Sequence, residues 1–533
     1  MQFSRLIIGF MLGATLGCAN ISIAQITDTS FYDINYIKNN NPWLQTHNPS
    51  GLQYVDVDKV SVANVAYEKA DGAFKNYYQS DNSYKINIGS ESFYRLNRNV
   101  IFYGAVDYQN FRGKNMQGSA WVDPYTSPLN FDDNTDSTAG TKKLEGYNLS
   151  GSVSAAVSQR LTLGGAISYE VADYAKLKDL RHINRLLNMD VAAGVNYTLS
   201  KAVKLGLSYN YVRRIESLKF EVHGNTDKQY LVFLNYGNFY GRTELFGEDG
   251  LTDERRPIVN NTHGMALQAD IRFSNTVSLL NEFSYARRSG YYGKKATASI
   301  VFTEHDADSY EYTGVLKIQK NKNLHLIQLK AGYEDLINME NVYSKGNTSG
   351  GSTIIIYHGQ NEVLNRQITK GAINYKGYLG VANDNPLWVL NASFQYMNRY
   401  HKTSLYPFLR IQDLNLYEAD ANASRNFIKG KDMYTVSLGV GYGGGSGTLH
   451  SDGTYQPVSS ARPPASRDSY LNQEYEFLTA SRIRITPAVQ YAQRVSTKTI
   501  AYLRGATSLT SALNTQYLGK YYNIFNITLG CLF

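Results

Sequence analysis

The chain has 533 residues, 53 Lys and Arg against 45 Asp and Glu (net charge +8 at pH 7), 44 Tyr, 44 Gly, 11 Pro and two Cys. Charged residues at 18% with aromatic residues at 13% exclude a disordered chain, and a mean hydropathy of −0.37 excludes a polytopic helical membrane protein. Two cysteines exclude a disulfide scaffold or a Cys-based zinc cluster. Met1 to Gln25 has the form of a secretory signal peptide: Arg5 is the positive end, Leu6 to Leu16 the apolar run, and Ser22-Ile23-Ala24 the small-x-small site, so residues 1–24 are removed. Leu16-Gly17-Cys18 supports a rival reading as a lipoprotein acceptor, with Thr15 where an aliphatic residue is preferred. Cleavage after Ala24 leaves Cys531 as the only thiol, unable to form an intramolecular disulfide. No later segment approaches about 18 consecutive apolar residues, so only a closed β-barrel offers a route across a membrane.

Residues 25–58 precede the first strand and hold Asn41-Pro42-Trp43 and Asn48-Pro49-Ser50-Gly51-Leu52, both turn-forming. This N-terminal segment is either a hatch inside a lumen or a periplasmic coil. From residue 59 to the end, apolar residues recur at period two. Leu149, Gly151, Val153, Ala155 and Val157 alternate with Asn148, Ser150, Ser152 and Ser154, and Leu161 to Val171 repeats the pattern. Met189 to Leu199, Val203 to Tyr211, Met265 to Phe273, Val277 to Tyr285, Trp388 to Tyr396, Tyr434 to Tyr442 and Ile483 to Tyr491 continue it. Short turns fall near 158–160, 200–202, 274–276, 320–323 and 382–386. Long polar connections fall near 112–143, 174–186, 215–262, 338–366 and 400–430. Tight turns at one end and long loops at the other predict an all-β, transmembrane, antiparallel up-and-down barrel over 59–533, with short periplasmic turns and long extracellular loops. The best strand count is 16, within a range of 14 to 18, the ambiguity lying between 430 and 520. The polar faces carry Ser, Thr, Asn, Gly and Gln rather than dense charge, which separates the chain from a soluble sandwich, propeller or solenoid.

Phe525, Ile527, Leu529, Cys531 and Phe533 form one apolar face ending in a terminal aromatic residue. This resembles the C-terminal signal by which bacterial outer-membrane barrels are recognised, and implies the barrel-assembly machinery as a partner. Asn48-Pro49-Ser50-Gly51-Leu52 resembles the Asn-Pro-Ala-Gly-Leu element of the outer-membrane long-chain fatty-acid transporter family, with Ser50 replacing Ala; in that family the N-terminal segment is a hatch. The whole chain resembles Bacteroidota-type outer-membrane barrel proteins in its Ala24-Gln25 site, its Asn- and Tyr-rich strands and its 41–52 stretch. That resemblance implies a Gram-negative outer-membrane location and the fold, and no activity. A TonB-dependent receptor is set aside, because its plug domain is far longer than residues 25–58.

Chemistry-bearing constellations are sparse. The nine histidines show no i, i+4 pair and no His-Glu-x-x-His. His305-Asp306-Ala307-Asp308 reads as a solvated loop. Asp132, Asn134 and Asp136 have calcium-loop spacing, but Ser137 replaces the Gly and Lys143 the closing Glu. Gly443 to Gly447 lacks the Lys of a phosphate loop. No catalytic residue, metal or cofactor is expected. The positive charge points to lipopolysaccharide phosphates and the lumen rather than nucleic acid, for which no motif is present. Arg482 and Arg484 share one inward face, with Lys204 and Arg272 inward on other strands, and a basic lumen favours anions. The competing reading pairs these cations with Glu170, Asp190 and Asp270. The leading function is a channel or transporter passing a small solute through the lumen, an apolar one by way of a hatch. The second is an accessory barrel in a larger envelope complex, docking another envelope protein through 112–143 and 215–262. A barrel enzyme is the third and is set aside.

Overall fold

The computed structural model describes residues 31–533 except 133–138, 225–226, 248–250, 253–254, 297, 348–349 and 459–460. The signal peptide with Cys18, and the calcium-like spacing at Asn134 and Asp136, lie outside the described residues. A helix α1 (Ile34–Asn39) and two 3-10 turns (Pro42–Gln45, Pro49–Tyr54) come first. The strands follow as β1 (Lys59–Gly72), β2 (Asn82–Asn97), β3 (Val100–Met116), β4 (Asn130–Asp132), β5 (Gly140–Ala156), β6 (Leu161–Lys176), β7 (Arg181–Thr198) and β8 (Val203–Glu221). Then come β9 (Leu231–Asn235), β10 (Tyr240–Leu245), β11 (Arg256–Arg272), β12 (Val277–Gly293), β13 (Val301–Lys320), β14 (Asn323–Asn347), β15 (Thr353–Leu379) and β16 (Trp388–Leu405). The chain ends with β17 (Phe408–Lys429), β18 (Asp432–Thr454), β19 (Ala465–Ser466), helix α2 (Asp468–Thr479), β20 (Arg482–Arg494), β21 (Ile500–Ala512) and β22 (Tyr521–Leu532).

Eighteen of these strands pair antiparallel, each with its chain neighbour, and β22 pairs with β1 from Val62↔Leu532 to Gly72↔Tyr522, which closes the barrel and leaves no free edge. The remaining four form a separate small sheet in the order β19-β10-β9-β4. The alternation in the sequence is the alternation of the wall: Leu163, Ile167, Leu205, Leu267, Leu438 and Val489 are exposed on the outside, while Ser154, Asn196, Ser208, Gln268 and Glu282 are buried inside. An outer surface this apolar is a lipid-facing one, since water-facing apolar patches of soluble proteins rarely exceed a few hundred Å².

The count of 18 is the upper end of the expected range; β17 is one strand that falls within an expected connection, 400–430. Its outward face is largely small, Ala419, Ala421 and Ala423, and its inward face carries buried Leu414 and Leu416 before Glu418 and Asp420, so the apolar-out pattern is weak. The expected connections 174–186, 338–366 and 400–430 are largely strand. β6 and β7 meet across 177–180, β14 and β15 run out to Asn347 and Thr353, and β16 turns into β17 at Tyr406-Pro407. The hairpin ends project past the lipid-facing belt, where pairing continues and a one-sided apolar pattern is no longer required. Gly441 to Gly447, within the 430–520 stretch where the strand count is ambiguous in the sequence, lies inside β18 and pairs with β17. The long connections that remain are 117–139, 222–255 and 455–481, all at the end opposite the tight turns.

Candidate functional site

An 18-strand wall encloses a lumen that wall side chains do not fill, and chain enters it from both ends. At the short-turn end it is residues 31–58. Each Asn-Pro pair starts a 3-10 turn: the Asn41 side chain accepts from Trp43 N and that of Asn48 from Ser50 N, with proline at the first position where no N–H is needed. The turns then bind the inner wall. Trp43 Nε1 donates to Asp270 (2.9 Å), the His47 backbone N–H donates to Glu282 (2.9 Å), and His47 Nδ1 lies 2.8 Å from the same carboxylate. Asn48 Nδ2 donates to Val195 O (2.9 Å) and Gln268 Oε1 (2.9 Å), Ser154 Oγ donates to Ser50 O (2.9 Å), and Tyr54 OH donates to Asn196 (2.8 Å). The hydrogen bond to Glu282 raises the His47 pKa above its ordinary 6.5 against the opposing effect of burial, with Glu282, Glu311 and Asp190 adding attraction for the proton.

Three inward glycines on adjacent strands make the seat. A Cβ on Gly164 would stand 2.2 Å from Ser50 N, one on Gly194 2.0 Å from Asn48 Oδ1, and one on Gly206 2.6 Å from Gln268 Oε1 and 2.9 Å from Asn48 Nδ2. Gly164 and Gly194 are register partners, and Gly206 pairs with Asn196, two residues further along the same strand as Gly194. The absence of side chains there is what lets the Asn48–Ser50 backbone touch the wall.

At the other end the small sheet and α2 fold inward. Trp121, Phe131, Tyr236, Tyr292 and Phe302 form their buried apolar cluster. Charged wall residues grip them. Glu216 accepts from Val122 N (2.9 Å), and Arg366 donates to Tyr125 O (2.8 Å) while pairing with Glu334 (3.0 Å), which also meets Arg288 (3.4 Å). Arg399 and Glu474 of α2 pair at 3.0 Å with both side chains buried, and Arg410 bridges Asp452 (2.7 Å) and Asp468 (3.1 Å). The Glu476 carboxylate accepts from the backbone N–H groups of Gln516, Tyr517 and Leu518.

Between the two inserts lies a cavity of 740 Å³, floored by Leu44 to His47 and reached from above by Leu478. A smaller cavity of 190 Å³ shares His47 and Glu311 with it. Strand register orders the wall of the larger one in two neighbouring rows. The first runs Thr313, Lys330, Ala372, Gln395, Glu418, Gly443, Arg482; the second runs Glu311, Gly332, Lys370, Met397, Leu416.

The residues singled out in the sequence fall in several places. Arg482 and Arg484 are together on the lumen side of β20, but they pair with carboxylates the sequence reading did not name. Arg484 meets Glu418 and Asp420, both at 2.6 Å, and Arg482 meets Glu418 at 3.5 Å. They are therefore neither an open anionic-solute strip nor partners of Glu170, Asp190 and Asp270. Lys204 packs its ammonium 3.7 Å over the Tyr54 ring, and Asp270 holds Trp43. Glu170 accepts from Asn188 (3.3 Å), Asp190 faces His47, and Arg272 is exposed at the last position of β11 beside the short turn. His305 to Asp308 is not a solvated loop but part of β13, with buried His305 2.6 Å from Asn260. Phe525, Ile527, Leu529 and Phe533 all expose their side chains outward, and the Phe533 backbone exchanges both bonds with Ser61. Among the described residues no group of three or more His, Cys, Asp or Glu is placed to hold a metal. Sequence reasoning missed Glu418 and Asp420 because β17 was read as a connection, and missed His47 and Glu282 because nothing local marks a contact across 235 residues.

A family model described as a family of unknown function (DUF6850) matches residues 49–533. No curated protein matches the chain. Among solved structures the chain is similar to BauA, the ferric preacinetobactin receptor from Acinetobacter baumannii, at 8% identity and TM-score 0.41, covering 89% of this chain and 80% of that one. It is also similar to the outer membrane transporter YddB from Escherichia coli, at 8% identity and TM-score 0.40, covering 89% and 81%. The alcaligin outer membrane receptor FauA from Bordetella pertussis is similar at 6% identity and TM-score 0.39, covering 88% and 75%.

Proposed function

We propose that this chain, which belongs to the DUF6850 family, is an outer-membrane barrel that passes a small solute through a lumen gated at both ends. The observation that carries the reading is the 740 Å³ cavity held between two inserted segments, a size within the range of small-molecule sites. A barrel serving only as an anchor needs no chamber at its centre. Residues 31–58 act as the hatch of the short-turn end. They hold the wall by polar contacts, Trp43 to Asp270, His47 to Glu282 and Asn48 to Gln268, and by apolar packing of Tyr36, Trp43, Ile37 and Leu52, all between side chains and outside the strand ladder, so the hatch can leave its seat without opening the wall. In this reading the short turns face the periplasm, lipopolysaccharide phosphates meet the basic rim at the other end, and the face ending in Phe533 is read by the assembly machinery after removal of residues 1–24.

Single-channel recording of the full-length mature chain in planar bilayers tests it. The wild type is expected to be closed with rare openings, and Trp43→Ala with His47→Ala, which loosens one of the two gates, to make openings more frequent. A folded, heat-modifiable double variant that stays silent would overturn the reading. One observation favours the accessory-barrel alternative: the β14–β15 hairpin exposes Val342, Ile356 and Tyr357 near its tip. Capture of an envelope protein that is lost on replacing those three with Ser would support it.

A further inference from the structure

Resting on the gated-lumen reading, we propose that the central chamber is a binding site for a small amphiphilic anion, held by Lys330 and Lys370. Both lysines are on the lumen face of the wall and line the cavity, and neither makes a hydrogen bond or ion pair with any described residue. They are diagonal neighbours across the β14–β15 pair, since Lys330 opposes Ala372 and Lys370 opposes Gly332. That places their backbones about 7–8 Å apart with side chains rising on one face, a separation two ammonium groups can close around one carboxylate or phosphate.

The charges around them are otherwise matched. Arg482 and Arg484 face Glu418 and Asp420, and His47 faces Glu282. Glu311, a diagonal neighbour of Lys330, is the one further acid lining the cavity and lies beyond ion-pair distance of either lysine. Both lysines and Glu311 are open to the lumen, so two cations without an ion pair against one such carboxylate leave an excess positive charge inside the barrel, where one opposite charge is favoured. The rest of the chamber defines the ligand's other end. Met397 is the register partner of Lys370, Leu416 the partner of Met397, and Leu44 and Leu478 close the cavity below and above. A molecule with one anionic end and a compact apolar body fits that division. Gly332 and Ala372, the register partners of Lys370 and Lys330, keep the wall beside the charges low.

The test is calorimetric titration of the full-length protein in detergent with four matched probes: phenylacetate, phenyl phosphate, neutral phenylacetamide and phenethylammonium. Both anions are expected to bind at least about 10-fold more tightly than the amide and the cation. Tighter binding of phenylacetate marks a carboxylate ligand, and tighter binding of phenyl phosphate a phosphate one. The Lys330→Met/Lys370→Met variant is expected to lose the preference, and Lys330→Arg/Lys370→Arg to retain it, which separates charge from folding. No discrimination by the wild type, preference for the amide or the cation, or retention of the preference by the double Met variant would each overturn the proposal. Because titration needs no passage, anion binding by a barrel that never conducts leaves the site standing and removes gated transport. Conductance without anion discrimination does the reverse.

Discussion

Gly164→Ala is the substitution that most directly interrogates the hatch. A Cβ at this position would lie 2.2 Å from Ser50 N, 2.4 Å from Pro49 C and 2.5 Å from Ser50 Cα, all backbone atoms that no rotamer change can move aside. Relief requires the Asn48–Ser50 backbone to retreat by about 1 Å or more, as overpacking does in cores. That retreat stretches the bonds from Asn48 Nδ2 to Val195 O, Leu207 O and Gln268, and the bond from Ser154 to Ser50 O. At about 0.5–1.5 kcal/mol each they hold the seat by roughly 2–6 kcal/mol. Losing about half of that, roughly 1–3 kcal/mol, raises hatch opening by about one to two decades. Chymotrypsin cleavage after buried Trp43 in folded protein reports the opening, and conductance reports its consequence. Gly165→Ala, one residue on, is the control: its Cβ would point outward with nothing within 4 Å. If Gly164→Ala is as resistant to protease and as silent as Gly165→Ala, residues 48–50 are not seated as described and the hatch argument fails.

The hatch is also expected to loosen with rising pH. The His47 pKa is raised by Glu282, with Glu311 and Asp190 nearby, so the contact is complete below the ordinary value of 6.5 and is lost as pH climbs through the raised one; conductance should increase across that window, and His47→Gln should flatten the profile. Arg399→Met strands buried Glu474 and should cost about 3–5 kcal/mol in the seating of α2, read as new proteolysis within 455–481, with Arg399→Met/Glu474→Leu recovering protection. Val153→Arg places a charge on the outward face and should destabilise the barrel by about 2–4 kcal/mol near the bilayer midplane, read from urea unfolding in vesicles; full tolerance would mean that this face does not meet lipid.

The barrel was legible in the sequence because lipid imposes one rule on every strand that crosses it. Leu161 to Val171 and Val203 to Tyr211 had to alternate, since one face meets lipid and the other a lumen, and the tight turns between such runs were visible as Ser158 to Arg160 and Ser200 to Ala202. Where the rule lapses, legibility lapses. β17 faces lipid with alanines and the lumen with Leu414 and Leu416, so it passed for a connection and took Glu418 and Asp420 with it. The partners of Arg482 and Arg484 were thus invisible even though both arginines were placed on the correct side. The inserted segments were harder for a different reason. Asn41-Pro42 and Asn48-Pro49 announce turns, but that these turns lie against Asp270, Gln268 and Glu282 follows from barrel closure and from three glycines on three strands, none of which looks unusual alone.

The strand register ties the hatch to the chamber. Gln268 opposes Glu282 across β11–β12, Glu282 opposes Thr313 across β12–β13, and Thr313 opposes Lys330 across β13–β14. The row that binds Asn48 and His47 is therefore the row that continues to Lys330, and Glu311 and Lys370 stand on the row beside it, Glu311 lining the cavity with His47. An anion arriving at Lys330 and Lys370 neutralises their charge, which at longer range partly offsets that of Glu311. Glu311 then presents more uncompensated charge to His47, which strengthens the proton's hold there and with it the bond to Glu282. Binding and hatch closure are coupled with a definite sign: an anion in the chamber should shift the pH of hatch release upward, and by reciprocity a deprotonated His47 should weaken anion binding. The coupling is measured by repeating the proteolysis profile at saturating phenylacetate. An unmoved midpoint, with binding confirmed by titration, would show that the two rows are neighbours in register only.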